Sequence, residues 1–314
     1  MTLKHLALMM WLKQKVNTMR NILVTGGAGF VGTNLIESLL EETDAKIYSV
    51  DNYSTGLKEN HIDDERVTYI EGDLSDSSAK HGAWGQARFE IPKDLDVIFH
   101  LAALARIQPS YKHPLTTFHA NATATMNICE FARENNIQVI YAASSSVHGD
   151  HFANPYTFTK WQGEEVCRMY SAIYDLPTII TRFYNVYGEY MIKGDSPYAT
   201  VIQIWDEMKD EGKPLPIING GEQRRDFTHV KDICQGLIKC IGRTEYKGEY
   251  FELGRGSNLS INEIASMYQS ETTDGGTRPG EMKITLADNS KAVNELDFNP
   301  VHNLQDYINE KHGL

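Results

Sequence analysis

Hydrophobic positions along the chain follow two rhythms. Short strand-like runs dominated by apolar residues occur at Ile22-Leu23-Val24, Lys46 to Val50, Val67 to Ile70, Asp96-Val97-Ile98-Phe99-His100, Gln138 to Ala142 and Thr178-Ile179-Ile180. Between them lie helical stretches: Leu35, Ile36, Leu39 and Leu40 after the first run, then Thr116 to Arg133 and Pro155 to Tyr174. A strand apolar at nearly every position is covered on both faces, as in a parallel sheet, whereas a half-exposed strand alternates. Strands alternating with helices predict a doubly wound α/β fold. From about Tyr184 the alternation gives way to short strands, Gly/Pro turns and helices, which predicts a smaller C-terminal lobe over the sheet's C-terminal edge. His81 to Arg88 reads as a surface loop. The apolar run Leu6 to Leu12 is short, is followed by Lys13 and Lys15, and precedes no small-residue cleavage site, so residues 1–18 read as an extension, docked as a helix or disordered.

Composition narrows the function classes. A chain of 314 residues suits about two lobes. Thirty Lys+Arg against 42 Asp+Glu give a net charge of −12, which argues against nucleic acid and anionic lipid as bulk partners. An anionic small substrate would then be held by a few placed cations. No run approaches the roughly 20 apolar residues of a membrane span. Cys129, Cys167, Cys234 and Cys240 show no metal-ligand spacing and are expected as free thiols in a reducing cytoplasm, with no metal site.

Two clusters carry chemistry. Gly26-Gly27-Ala28-Gly29-Phe30-Val31-Gly32 follows a strand and opens a helix. In such a turn Gly26 permits the tight bend, Gly29 lets backbone approach a pyrophosphate, and Gly32 lets helix pack on strand, with the phosphates facing free N–H groups at the helix start. Asp51, just after the second strand, is placed to accept both ribose hydroxyls and to repel a 2′-phosphate, which favours NAD over NADP. Asp73-Leu74 after the third strand reads either as an adenine contact or as a plain turn. Tyr156-Thr157-Phe158-Thr159-Lys160 places a phenol and an ammonium on one helix face. A neighbouring lysine cation, and a nicotinamide cation beyond it, would favour the phenolate. Ser144 ends the fifth strand, on the edge where such sheets bind ligands.

These motifs, together with His100-Leu101-Ala102-Ala103, Arg182 to Gly188, Arg225 to Asp232 and Arg278-Pro279-Gly280-Glu281, resemble the extended short-chain dehydrogenase/reductase family, in its nucleotide-sugar epimerase/dehydratase branch, over nearly the whole chain. The resemblance implies a Rossmann-type domain over 19–182, with 230–253 returning to it, and a substrate-binding lobe from 183–229 and 254–314. It implies catalytic Ser144, Tyr156 and Lys160. It implies NAD contacts from Gly26, Gly29, Phe30, Val31, Gly32, Asp51, Asn52, Asp73, Leu74, Leu101, Ala102, Ala103, Tyr156, Lys160 and Phe183. Asn185, Arg225 and Arg278 match the groups that hold a nucleotide diphosphate, and a homodimer through the helices from Thr116 and around Tyr156 is implied as well.

Departures from the family pattern sharpen the expectation. Where the dehydratases carry an Asp-Glu pair, this chain has Ser145 and Ser146, and His148 replaces a tyrosine. The segment from Ser144 to Tyr156 is about half the usual length. Thr285 lies in a segment resembling the hexose-pocket wall, where a small residue implies room for a 2-N-acetyl group. The reaction implied is a UDP-sugar 4-epimerisation. The rivals are a dehydratase, decarboxylase or reductase of the same family, and a catalytically silent NAD-binding protein.

Overall fold

The computed structural model describes residues 18–76, 90–278 and 282–314. Most of the N-terminal extension, the loop reading of His81 to Arg88, and Pro279-Gly280-Glu281 lie outside the described residues.

Seven strands form one sheet: β1 (Asn21–Thr25), β2 (Lys46–Asp51), β3 (Val67–Glu71), β4 (Val97–His100), β5 (Gln138–Ser144), β6 (Thr178–Phe183) and β7 (Glu249–Leu253). Their order is β7-β6-β5-β4-β1-β2-β3, and every pairing is parallel. The order reverses between β1 and β4, so their C-terminal ends diverge and leave a crevice where open α/β sheets bind ligands. The six runs read from the sequence are the first six strands. The last is longer than its apolar core suggested, and the extension carries Phe183 to the sheet edge. All seven residues of β5 are buried, as a central parallel strand requires.

Helices cover both faces. On one side α1 (Phe30–Glu42) buries Leu35, Ile36 and Leu39 among Ile22, Val24 and Ile47. On the other side are α2 (Ile107–Lys112), α3 (Pro114–Phe118), α4 (Ala124–Asn135) and α5 (Pro155–Tyr174). The expected single helix from Thr116 to Arg133 is α3 and α4 joined by a π-helical segment, His119–Thr123. Periodicity cannot reveal such an insertion, because it leaves the apolar stripe almost unchanged. It has a consequence at the site: Asn121 turns inward, accepts the Leu104 N–H at 2.8 Å and donates to the Leu104 carbonyl at 3.2 Å.

Beyond β6, the helices α6 (Val201–Asp210), α7 (Val230–Ile238), α8 (Ile261–Met267), α9 (Ser290–Leu296) and α10 (Leu304–His312) alternate with three two-stranded sheets. A separate apolar cluster of Tyr187, Ile202, Trp205, Leu215, Ile264 and Tyr268 supports this part, while α7 packs on the main sheet, where it meets β7. The buried Asp206 carboxylate accepts the Tyr268 and Tyr307 hydroxyls at 2.8 and 3.2 Å and Lys311 at 2.8 Å, tying α10 to α6.

Candidate active site

A cavity of about 850 Å³ opens at the C-terminal edge of the sheet. Every site residue expected from the sequence lines it, from Gly26 and Asp51 at one end to Arg225, Arg278 and Thr285 at the other.

The glycine turn is built for close approach. Gly26 has φ of +70°, and a Cβ there would lie 2.9 Å from the Ala102 backbone. A Cβ on Gly32 would lie 2.1 Å from the Gly26 carbonyl, so only glycine lets α1 start against β1. Gly27, which the sequence reading passed over, is held too: its Cβ would meet the Ser49 hydroxyl at 2.2 Å. Thr25 fixes the facing wall, its hydroxyl accepting the Leu101 and Ala102 N–H groups, each at 3.1 Å. Thr25 also bonds buried His100 at 2.8 Å, whose other ring nitrogen meets Thr125 at 3.0 Å. Burial, with Lys160 nearby, pushes His100 down to about 3, so it stays neutral and structural.

Asp51 ends β2 and accepts the Tyr53 N–H at 2.8 Å and the Ala28 N–H at 3.1 Å. Burial pushes its carboxyl up, and those backbone donors oppose the rise. Asp73 does what a turn aspartate does, accepting the Ser75 N–H at 2.8 Å, and it also takes the Asn52 amide at 3.1 Å. Burial works against its charge, but the Ser75 and Asn52 bonds outweigh it and hold the carboxyl below its ordinary value. Asp73 thus caps a turn and also lines the cavity. The tight glycine turn, the helix start and the carboxylate at the end of β2 fit a dinucleotide.

At the chemical end, Asn154 caps α5 by accepting the Thr157 N–H at 2.8 Å, and Pro155 opens the helix, which fixes Tyr156 in the first turn. Ser144 and Tyr156 both line the cavity. Lys160, one turn further along α5, donates from Nζ to the Ala142 carbonyl at 2.7 Å. Burial pushes the Tyr156 phenol up, and the groups that oppose this are Ser144 and the Arg106 cation. Burial lowers Lys160 to about 8, with Glu164 acting the other way. Gly163 lets α5 lie this close to the sheet: a Cβ there would sit 2.1 Å from the Tyr141 hydroxyl oxygen. A glycine inside a long helical pattern was the available signal. The short segment after Ser144 forms a 3-10 turn over Ser145–His148. His148 meets Glu252 at 2.7 Å and the Tyr184 hydroxyl at 2.9 Å, a local anchor rather than a catalytic placement.

On the far wall, Arg225 is buried and donates to the Arg224 carbonyl at 2.9 Å. The Arg278 backbone is clamped by Asn219, which accepts its N–H at 2.9 Å. Asn185 lines the same cavity. Its amide donates to the Asp226 carbonyl at 2.9 Å and to the Thr285 hydroxyl at 3.2 Å, so in this structure it positions Thr285. The residue behind this wall is Asp226, which the sequence reading passed over as part of a motif. It is buried and accepts from the Arg255, Gly256 and Ala287 N–H groups and the Thr228 hydroxyl.

Residues 22–254 match the NAD dependent epimerase/dehydratase family. The chain belongs to that family. Its cofactor is NAD. An uncharacterised UDP-glucose epimerase of Bacillus subtilis, YtcB, is 30% identical over 312 residues, spanning 91% of this chain and 94% of that one. Among solved structures, a UDP-N-acetylglucosamine 4-epimerase from Methanobrevibacter ruminantium in complex with UDP-N-acetylmuramic acid is 30% identical. It covers 93% of this chain and 97% of its own, with a TM-score of 0.81. Bordetella bronchiseptica WbmF in complex with NAD+ and UDP is 28% identical, covers 95% and 92%, and has a TM-score of 0.81. Among the described residues no helix is long and apolar enough to cross a membrane, and no cluster suits a metal ion.

Asp51 gives a direct test of cofactor choice. NAD should bind far better than NADP, and Asp51→Asn should narrow the gap by about tenfold, the size of a lost bond to a charged acceptor. Titration of both cofactors reads this, and equal affinities in the unaltered protein would remove the role.

Proposed function

We propose that the protein is a UDP-sugar 4-epimerase in which Tyr156 is the acid/base, assisted by Ser144. The observation that carries this reading is the charge of the cavity wall. Among the described lining residues the carboxylates are Asp51 and Asp73, both at the adenosine end, and Ser145 and Ser146 stand beside Ser144. Elimination of water from a sugar needs a further acid and base near the ring. An epimerisation, with no net redox change, needs one group that takes the C4 hydroxyl proton and gives it back.

In this reading Lys160 and the glycine turn hold NAD, which supplies the hydride acceptor and donor. Tyr156 takes and returns the proton, and the Ser144 hydroxyl orients the sugar hydroxyl. Arg225 and Arg278 grip the diphosphate as guanidinium forks do, keeping the substrate tethered while the sugar presents its other face. The segments after β6 are the substrate-binding part. The same reading includes a cytoplasmic homodimer, supported by four buried free cysteines and by exposed Leu115 and Met126 on the α3–α4 helix and Met169 and Ile173 on α5. Analytical ultracentrifugation of the intact chain tests the dimer.

Product analysis after incubation with UDP-, GDP- and dTDP-sugars tests the function. The expected product is the C4 epimer of a UDP-sugar. A 4-keto product, net NADH consumption, or bound NAD without turnover would each replace the reading.

Thr285 sets the expected sugar. It is buried at the cavity wall, with its hydroxyl held by Asn185. A threonine leaves volume for an N-acetyl group that a tyrosine would fill. Thr285→Tyr should therefore lower kcat/KM for UDP-N-acetylglucosamine selectively, by about 10- to 100-fold for an overlap of about 1–3 kcal/mol. Equal loss with UDP-glucose, or an unaltered protein that ignores N-acetyl sugars, would count against it.

A further inference from the structure

Arg106 lines the cavity together with Tyr156. It is the extended residue just before α2, with φ −148° and ψ 141°. Two sets of bonds place it. Its Nε donates to the Tyr198 carbonyl at 3.0 Å, and Nη1 donates to the Ala105 carbonyl at 3.3 Å. The helix it precedes is fastened to the start of α5: the Ser110 hydroxyl donates to the Ile107 carbonyl at 2.7 Å and accepts the Tyr156 N–H at 3.2 Å. Tyr111 adds a bond to the Ala153 carbonyl at 2.9 Å. The loop carrying the guanidinium and the turn carrying the phenol are thus joined within a few bonds.

Counting charges gives this placement a purpose. Among the described residues the cavity cations are Arg106, Lys160, Arg225 and Arg278. Lys160 is engaged with the Ala142 carbonyl, and the proposed function gives Arg225 and Arg278 to the diphosphate. A neutral hexose offers Arg106 no anion, but Tyr156 becomes one when it takes the sugar's proton. We propose that Arg106 is a positioning residue, anchored by Tyr198 and α2, whose guanidinium stabilises the phenolate form of Tyr156. The proposal rests on the epimerase reading above.

Burial opposes ionisation of Tyr156, and the Arg106 charge and the Ser144 hydroxyl act against that burial effect. The other titratable groups here are Tyr141 on β5, which the phenol affects directly, and Lys160 on its own helix, with His100 on β4 and Glu164 acting on Lys160. His100 is neutral at working pH, and burial keeps Tyr141 protonated. Arg106 therefore supplies charge from outside the helix that carries Tyr156.

The test compares the NAD-loaded protein with Arg106→Met, Arg106→Gln and Arg106→Lys. With a UDP-sugar that the unaltered protein turns over, the acidic limb of the kcat/KM profile should move to higher pH in the Met and Gln variants. The loss at neutral pH should be about tenfold and fall mainly on kcat, with most activity restored in the Lys variant. A second readout needs no turnover. Tyrosinate absorbance is titrated in each variant, with Tyr156→Phe identifying the transition that belongs to Tyr156, and that transition should also move up. An unmoved transition, or a loss confined to KM with an unmoved pH limb, overturns the proposal. If no UDP-sugar is turned over at all, the epimerase reading fails by itself, and the absorbance titration still decides whether Arg106 acts on Tyr156.

Discussion

Tyr156→Phe should lower turnover about 100-fold or more while leaving fold and NAD content intact. The phenylalanine ring keeps the shape of a side chain on the first turn of α5, and the Asn154 cap and the Tyr156 N–H bond to Ser110 are untouched. What disappears is the phenol hydroxyl, the group proposed to carry the sugar's proton. Lys160→Met should behave differently. It removes a buried cation and leaves the Ala142 carbonyl without its donor, so cofactor binding should weaken as well. Steady-state kinetics, with NAD released from the denatured protein and quantified, separates the two effects. Near-full activity in Tyr156→Phe would rule out the assigned acid/base.

The parts of this structure legible in the sequence are those written in short-range pattern. Six strands announced themselves as short, mostly apolar runs, and the glycine turn and Asp51 lie at their C-terminal ends because a parallel sheet puts every such end on one edge. The seventh strand, Glu249–Leu253, joins the sheet beside β6 from far along the chain and showed no periodic signal of its own. Side-chain partners were less legible than positions. Spacing put Tyr156 and Lys160 on one helix face, but it could not show that the Lys160 ammonium reaches for a carbonyl of β5 once Gly163 has brought α5 against Tyr141. Asn185 was placed correctly at the cavity, yet its amide is taken up by Asp226 and Thr285, a bond set by strands meeting from distant parts of the chain. Arg106 and Asn121 escaped notice for the same reason. Their roles depend on the π-helical segment and on a loop held by a neighbour, neither of which leaves a mark on hydrophobic rhythm.

Asp226→Ala should destabilise the protein by about 3–5 kcal/mol and weaken substrate binding while sparing NAD. The carboxylate is fully buried and accepts the N–H groups of Arg255 at 3.0 Å, Gly256 at 2.9 Å and Ala287 at 3.1 Å, with the Thr228 hydroxyl at 3.1 Å. Removing it leaves the Gly256 and Ala287 N–H groups without an acceptor, at about 1–3 kcal/mol each before relaxation, while the Arg255 N–H keeps the Thr228 hydroxyl. Burial itself pushes the Asp226 carboxyl up, and those donors are what oppose the rise. Three segments would come apart together: the one bearing Arg225, the one after β7, and the one bearing Thr285. The NAD turn does not touch this knot, so the cofactor should stay bound while KM for the nucleotide sugar rises. Asp226→Asn keeps one acceptor oxygen and should fall between the two. Urea unfolding followed by NAD and UDP titrations checks the ordering. Equal loss of both ligands would mean that Asp226 supports the whole fold rather than the wall carrying Arg225 and Thr285.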